Sequence, residues 1–189
     1  QKQFWKRCYH ICTEPTEFFS KLKTASIRSP LIHFINVIFV GMGTFILIAG
    51  AIISIILAAL GKVHYIGWVW LIGAIYFIAA IVINIPILFI NAGVYHLFVR
   101  LFKGKGSFKD TFAATAYAMT PAILIGIFIL NMILGIYIIV LQCIGISKVH
   151  KLSIGKSVAA VLLPIALMIG LVFVVYVIIY IFVLASILG

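Results

Sequence analysis

Four long stretches of the chain contain no Asp, Glu, Lys or Arg, and they restrict its fold more than any other feature. They cover residues 29–61, 63–99, 111–147 and 157–189 and are dominated by apolar side chains. Because a helix of about 20 apolar residues crosses a hydrocarbon core about 30 Å thick, each stretch is long enough to span a membrane. The stretches lack the alternating pattern of membrane barrels, so the sequence predicts an all-α, polytopic membrane protein.

Composition narrows the class of protein further. Hydrophobic residues make up 66% of the 189 residues and charged residues only 9%, far from the balance of a soluble domain. The net charge of +11 arises because 14 Lys and Arg outnumber 3 Asp and Glu, and the basic residues lie in the gaps between the apolar stretches. These figures exclude a water-soluble globular protein, a disordered chain and a nucleic-acid-binding domain.

The two longest stretches resolve into different numbers of spans. In 63–99 a break at Asn84 and Pro86 would leave a remainder too short to recross the membrane, so we expect one kinked helix. In 111–147 a turn at Asn131 would leave two segments of nearly spanning length. The domain 29–189 is therefore predicted to hold five transmembrane helices, at about 31–60, 66–99, 110–130, 132–147 and 157–187.

The distribution of Lys and Arg tests the number of spans. With five spans every Lys and Arg except Lys62 falls on one side of the membrane, whereas with four spans Lys148, Lys151 and Lys156 would change sides. Cytoplasmic loops collect Lys and Arg, so five spans are favoured, with the N-terminus in the cytosol and the C-terminus outside. The aromatic rings expected at the outer interface are those of Tyr65, Trp68 and Trp70.

Residues 1–28 form a basic cytosolic tail. From 13 to 28 the tail has the pattern of a short amphipathic helix, which we expect to lie in the headgroup plane of the membrane. Thr13 is expected to cap this helix and Pro15 to occupy its first turn. The alternative is a plain tail that only sets topology. The basic side chains expected to face anionic lipid, here and in the flexible loop after the second span, are those of Lys21, Lys23, Arg28, Lys103 and Lys105.

Two short motifs suggest specific chemistry, and neither meets the spacing that the chemistry requires. The sequence 155–157 (Gly-Lys-Ser) ends like a phosphate-binding loop, but His150 stands where that motif needs its first Gly. Cys8, His10 and Cys12 are metal-binding residue types without a second ligand pair at zinc spacing. Asp110, three residues after Ser107, is expected to cap the start of the third span and not to act in catalysis. We therefore predict no catalytic residue, no metal and no cofactor.

The predicted spans contain neutral polar side chains and no charged ones. Ion-coupled transporters usually place a titratable or charged group at membrane depth, so a proton pump or a carboxylate-based symporter is disfavoured. For Asn84, Asn91 and Thr120 helix packing is the favoured interpretation, since interhelical hydrogen bonds contribute roughly 0.6 kcal/mol each. A conducting path built from these three residues, beside the break at Pro86, stays open as the alternative.

The third predicted span carries a stripe of small residues. Ala114, Ala118 and Ala122 follow one another at intervals of four on one helix face. Such a face lets another backbone approach closely, within the chain or between chains. Pro121 interrupts the helical hydrogen bonds beside this stripe, and a hydroxyl such as that of Thr120 can satisfy the carbonyl that it frees.

In and around this span the sequence resembles the Yip1 domain family. The resemblance rests on Ala116-Tyr117-Ala118-Met119-Thr120-Pro121, on Gln142-Cys143-Ile144-Gly145-Ile146-Ser147-Lys148-Val149-His150-Lys151-Leu152-Ser153 with Lys156, and on Pro15-Thr16-Glu17-Phe18-Phe19 with Leu22. It implies five spans with a cytosolic N-terminus. Together with the small-residue stripe, it marks the positions expected to serve as family motif or in helix packing: Ala114, Tyr117, Ala118, Pro121, Ala122, Gly145 and His150.

Eukaryotic members of that family are linked to Rab-type GTPases and to vesicle traffic between endoplasmic reticulum and Golgi. This chain departs from the eukaryotic pattern, because Arg28-Ser29-Pro30-Leu31 stands where Asp-Leu-Tyr-Gly-Pro would precede the first span, and we expect no long N-terminal domain. A GTPase partner is therefore an analogy with the family and is not carried over. The compact loops indicate a bacterial or archaeal member in the cytoplasmic membrane.

The leading hypothesis is a non-enzymatic membrane scaffold or adaptor. It would bind itself or other membrane proteins through small-residue faces, and anionic lipid through its basic cytosolic surface. A channel, transporter or scramblase-like pathway for a neutral solute, ion or lipid is the alternative, based on the helix breaks at Pro86 and Pro121. An intramembrane enzyme is disfavoured because the spans offer only His33, His96 and Cys143 without an acidic partner.

Overall fold

The computed structural model describes residues 2–22 and 26–188, with side chains as far as 184, and every regular element in these ranges is helical. Two short helices come first, α1 (Lys2–Thr13) and α2 (Pro15–Ser20). They precede a long helical hairpin made of α3 (Arg28–Ala59) and α4 (Ile66–Leu101), with a 3-10 turn at Val63–Tyr65 in the connection.

A second, shorter hairpin follows. It joins α5 (Phe108–Ala118) to α6 (Asn131–His150) through 3-10 turns at Thr120–Leu124 and Phe128–Leu130. The last helix of the described residues is α7 (Ile154–Leu188).

Within the described residues, four helical segments are long and apolar enough to cross a membrane: Arg28–Ala59, Val63–Leu101, Phe128–His150 and Ile154–Leu184. The chain is therefore an all-α, multi-pass integral membrane protein. The predicted span 110–130 is not one helix, because α5 is only 11 residues long and ends at Ala118. Pro121 lies just beyond that end, and there the backbone continues as a 3-10 turn.

The basic tail forms two helices where the sequence predicted one over 13–28. Helix α2 begins at Pro15, whose fixed backbone suits a first helical position, and it ends at Ser20. Thr13, expected to cap a helix, instead ends α1 and donates its hydroxyl hydrogen bond to the Tyr9 carbonyl at 2.9 Å. Residues 23–25, and with them the predicted lipid contact Lys23, lie outside the described residues.

The two tail helices pack on the protein with their apolar sides. Ile11 of α1 and Phe19 of α2 are buried, and Tyr137 of α6 donates a hydrogen bond to the carbonyl of Cys12. The helix α1, which the sequence did not predict, is therefore stabilised by burial against the bundle in addition to its local preference.

Helix α5 lies at the centre of the helix bundle, in the half that contains the tail helices α1 and α2. Its residues 111–118 are all buried, and it packs against α3, α4 and α6. Small side chains permit this close packing: Gly145 of α6 lies against Ala114 of α5 and Phe19 of α2. At its start the backbone N–H of Ser107 donates to the carboxylate of Asp110 at 2.8 Å, which is the capping role that the sequence predicted.

The end of α3, the start of α4 and the end of α7 extend beyond this core; we call these the outer parts of the three helices. There α3 and α4 pack on each other, with Trp70 covering Gly50 and Phe77 covering Gly43. From 166 to 184 nearly every residue of α7 is exposed. Since these exposed side chains are apolar, hydrocarbon is the environment that matches them.

Candidate functional site

Most of the buried polar side chains among the described residues surround α5. They belong to α3, to α5 and the 3-10 turn after it, to α6 and to α7, and they are His33, Thr111, Thr115, Thr120, Gln142, His150 and Ser157. In hydrocarbon or at its boundary such groups need partners inside the protein. Their hydrogen bonds form two clusters, one at each end of α5.

The cluster at the start of α5 joins three helices through one hydroxyl. The Thr111 Oγ1 lies 2.8 Å from Nδ1 of His96 on α4 and 2.8 Å from Nε2 of His150 on α6. A threonine hydroxyl has a single proton, so it donates to at most one of the two rings, and the carbonyl of Ser107 at 3.5 Å is a longer alternative acceptor. The proton positions of the two histidines are therefore coupled through Thr111.

The backbone of the loop before α5 closes this cluster. Gly106 lies so close to the ring of His150 that a Cβ there would stand 2.5 Å from Nδ1. The N–H of Lys105 donates to the carbonyl of His150 at 3.2 Å. The loop that carries Lys103 and Lys105 is thereby held against the end of α6.

A chain of hydrogen bonds continues from this cluster along α5. The amide of Gln142 donates to the hydroxyl of Thr115 at 3.1 Å, and that hydroxyl donates to the carbonyl of Thr111 at 2.9 Å. The carbonyl of Cys143, next to Gln142 on α6, accepts a hydrogen bond from the hydroxyl of Ser157 on α7. Each of these bonds ties a residue to another helix or to its own preceding turn.

The cluster at the end of α5 joins it to α3. The Nε2 of His33 lies 3.0 Å from the hydroxyl of Thr120, and that hydroxyl lies 2.6 Å from the carbonyl of Tyr117, to which it donates. Because its one proton is used there, the hydroxyl accepts from His33, whose proton must then be on Nε2. The Nδ1 of His33 has no hydrogen-bond partner, which fits an unprotonated nitrogen.

The tail helices cover this second cluster with aromatic and basic side chains. The ring of Tyr117 lies 4.9 Å from that of His33 and 5.3 Å from that of Phe18 on α2, measured between centroids. The guanidinium of Arg7 on α1 lies 5.8 Å from the centroid of Tyr117, within the range of a cation–π contact. The family-motif residue Tyr117 thus connects the tail to α5.

A cavity of about 130 Å³ lies between α3, α4, α5 and α6. Its polar lining comes from Asn84 and Asn91 of α4 with Thr115 and Gln142. The structure therefore brings the two predicted asparagines together, while Thr120 is used by His33 and does not line the cavity. The cavity is large enough for several water molecules, and Pro86 lies within the uninterrupted helix α4. This geometry does not favour the alternative of a conducting path.

The predicted small-residue stripe faces into the chain. Ala114 and Ala118 are fully buried and Ala122 is 6% exposed. Gly41 of α3 lies so close to the carbonyl of Ala122 that no other residue fits there, and Gly145 occupies the other side. The stripe is therefore filled within the chain, and it does not offer the surface for a second copy that the sequence left open.

The basic residues predicted to face lipid differ in whether they pair with a carboxylate. Lys103 and Lys105 are exposed in the loop after α4, and Arg28 is exposed at the start of α3. Lys21 pairs with Glu17 at 2.5 Å, and this hydrogen bond raises the pKa of Lys21 and lowers the pKa of Glu17. Lys21 is thus engaged by a carboxylate, whereas the loop lysines face outwards.

The cysteine–histidine motif of the tail does not converge on one point. Cys8 is buried, and burial raises the pKa of its thiol to about 11. His10 instead lies 3.2 Å from Glu14 and forms an exposed group with Glu14 and Glu17. Since Lys21 already neutralises Glu17, we assign no metal to this group.

The sequence did not reveal the threonine partners of the buried His33 and His150 or of the part-buried His96. The sequence did place His33 and His96 near the inner ends of their predicted spans. That position does not specify which residue each histidine contacts. The pairs His33 with Thr120 and His150 with Thr111 join residues far apart in the chain, so helix packing had to be known first.

Comparison with protein families gives one result over nearly the whole chain. A family model described as the Yip1 domain matches residues 9–177. No curated protein and no solved structure matches the chain significantly. The matched range includes α2 to α6 and both polar clusters.

Proposed function

The chain belongs to the Yip1 domain family, and on that premise we propose that it is a non-enzymatic membrane scaffold or adaptor. In this proposal the N-terminus is cytosolic and the C-terminus lies outside, as the distribution of Lys and Arg requires. The membrane is the cytoplasmic membrane of a bacterium or archaeon. The partners are anionic lipid and other membrane proteins, including further copies of the chain.

The buried polar side chains form hydrogen bonds within the chain, which supports a structural role. In the described part of the bundle, His33, His96 and His150 are hydrogen-bonded to threonines and not to a carboxylate that would orient them as a base. Nucleophilic catalysis needs such a base and an orienting group within hydrogen-bond reach of the nucleophile. The clusters instead join helices to one another, which is what a scaffold requires.

The observation that carries lipid binding is the junction of two basic loops. Lys103 and Lys105 follow α4, Lys148 and Lys151 end α6, and the hydrogen bond from the N–H of Lys105 to the carbonyl of His150 holds the loops together. All four lysines are exposed. Lysines near an anionic membrane surface contribute about 1 kcal/mol each, so this junction concentrates the attraction on one small surface.

Lipid that copurifies with the chain tests this proposal. The chain is extracted in mild detergent from membranes containing phosphatidylethanolamine and phosphatidylglycerol, and the bound lipids are counted by mass spectrometry. We expect phosphatidylglycerol to be enriched over its share of the membrane, and the double variant Lys103→Gln/Lys105→Gln to lose enrichment by about fivefold or more.

The matched control is Lys62→Gln, which removes the single lysine expected on the opposite face. It should leave the enrichment unchanged. If the wild-type chain shows no enrichment, or if Lys62→Gln reduces it as much as the double variant, the basic loops are not a lipid-binding surface.

A further inference from the structure

The turn of the α5–α6 hairpin lies level with the middle of α3. The carbonyl of Ala122 lies against Gly41, and Gly126 lies against the backbone of Thr44 and Phe45. From Phe45 to its end at Ala59, α3 continues for about 20 Å. The hairpin therefore stops well short of the outer end of the bundle.

The helices beyond that level expose a surface that is almost entirely apolar and carries no charge. The exposed fraction is 70% for Ile55, 64% for Leu60 and 61% for Trp68. The outer part of α7 is exposed in the same way. If the turn of the hairpin lay in the outer aqueous phase, all of this surface would stand in water.

The depth of the tail helices gives a second, independent constraint. Phe4 lies 5.3 Å from the ring of His33, and Trp5 shares a cavity with Asn36 and Phe39 of α3. An outer boundary level with the hairpin turn would place the inner boundary of a 30 Å core near residue 26, just before α3 begins, taking about 20 residues per crossing. The basic helix α1 would then lie inside the hydrocarbon, where no water would solvate its charged side chains.

Placing the outer boundary at Leu60 removes both conflicts. The inner boundary then falls near residue 40 of α3, by the same rule of about 20 residues per crossing. At that depth Lys6 and Arg7 of α1 lie at the headgroups, and the exposed apolar surface beyond the level of the hairpin turn lies in hydrocarbon. The hairpin turn, level with Phe45, then lies about 8 Å inside the inner boundary, in the inner half of the hydrocarbon core.

We infer that the α5–α6 hairpin does not cross the bilayer but enters the hydrocarbon from the cytosolic side, turns in its inner half and returns. Only α3, α4 and α7 then cross, and the exposed side chains of the turn contact the acyl chains of lipid. The inference rests on the orientation given under the proposed function and not on the scaffold role. It keeps every Lys and Arg on the side that five spans would give, because both models return the chain to the cytosol before Lys148.

The exposed side chains of the hairpin turn are suited to hydrocarbon, and part of its backbone is hydrogen-bonded within the turn. Phe128 is 81% exposed and Ile129 is 86% exposed, and the sequence from 111 to 147 contains no charge. The N–H groups of Ile127 and Leu130 donate to carbonyls three residues earlier, both at 2.9 Å. Irregular backbone at membrane depth needs such internal partners.

Single cysteines distinguish this hairpin from a pair of crossing helices. Cys8, Cys12 and Cys143 are replaced by Ala, and Ile129→Cys is compared with Lys62→Cys in the outer loop and Lys103→Cys in the inner loop. A membrane-impermeant maleimide is applied to sealed vesicles of each orientation. We expect Lys62→Cys to react from the outside, Lys103→Cys from the inside, and Ile129→Cys from neither side.

A spin label at position 129 provides the second measurement. Its collision rate with oxygen should exceed that with a water-soluble nickel chelate, as for a site inside the hydrocarbon, while for the label at position 62 the collision rate with nickel should be the higher. Reaction of Ile129→Cys from the outside, or from the inside, overturns the inference, and so does a label at 129 that collides mainly with nickel. Reaction of Lys62→Cys from the cytosolic side would overturn the orientation itself, and neither result depends on lipid enrichment.

Discussion

The Nε2 of His33 lies 3.0 Å from the hydroxyl of Thr120, although 87 positions separate the two residues in the chain. The pair joins the first long helix to the point where α5 ends. Both side chains are buried, so neither can exchange this hydrogen bond for one with water. The stability of the inner bundle should therefore depend on the pair.

Replacing Thr120 by the isosteric Val tests that dependence. Thr120→Val leaves the N–H of His33 buried without an acceptor, which should cost about 1–3 kcal/mol and lower the melting temperature in detergent by several degrees. Thr120→Ser keeps the hydroxyl and should lose less. If both variants melt with the wild-type chain, the hydrogen bond does not contribute to stability.

The same geometry predicts which nitrogen of His33 carries the proton. Because the Thr120 hydroxyl donates to the Tyr117 carbonyl, His33 must be the donor through Nε2. Nitrogen NMR of histidine-labelled protein in detergent should show this tautomer, assigned by the signal that disappears in His33→Asn. A proton on Nδ1 of His33 would contradict the arrangement of donors and acceptors.

Gly106 should not tolerate a side chain. In Gly106→Ala the new methyl group would meet the ring of His150 and displace it from Thr111, so we expect a loss of about 1–3 kcal/mol from overpacking. Gly155→Ala is the matched control, since nothing lies within 4 Å of the position. Thermal unfolding of the two variants should differ clearly, with Gly155→Ala close to wild type.

Ala118→Leu should destabilise the chain itself. Ala118 is fully buried in the described bundle, so added methylene groups should cost about 1–3 kcal/mol or more through strain. Ala166→Leu, on the exposed part of α7, should melt like wild type. A normal melting temperature for Ala118→Leu, combined with a smaller oligomer in light scattering, would instead place the stripe between copies.

Cys8 should react slowly with thiol reagents at neutral pH. Burial raises the pKa of this thiol from 9.0 to about 11, and the thiolate is the reactive form. Below the shifted pKa the thiolate fraction, and with it the alkylation rate, should rise about tenfold for each added pH unit. An introduced exposed cysteine, Lys62→Cys, should level off at lower pH, and equal pH profiles for the two thiols would show that Cys8 is not buried.

The features that sequence analysis predicted correctly depend on neighbours along the chain. The capping of α5 by Asp110 needs only the spacing from Ser107, and the multi-pass character needs only the apolar stretches. The tail was predicted less well. Pro15 could be recognised as a helix start, but α1 is stabilised by burial of Cys8 and Ile11 against other helices, which no local pattern contains.

The sequence by itself determined that this chain resides in a membrane and resembles the Yip1 domain family, because the transfer of each apolar side chain into hydrocarbon is a local property that accumulates along a stretch. Only the tertiary structure decided that the alanine stripe faces inwards, that His33 meets Thr120, and that the second hairpin ends level with Phe45. These relationships depend on the register in which helices pack. Uniformly apolar helices offer many registers of similar hydrophobicity, and small residues such as Gly41 and Gly145 select among them only once the partner helix is in place.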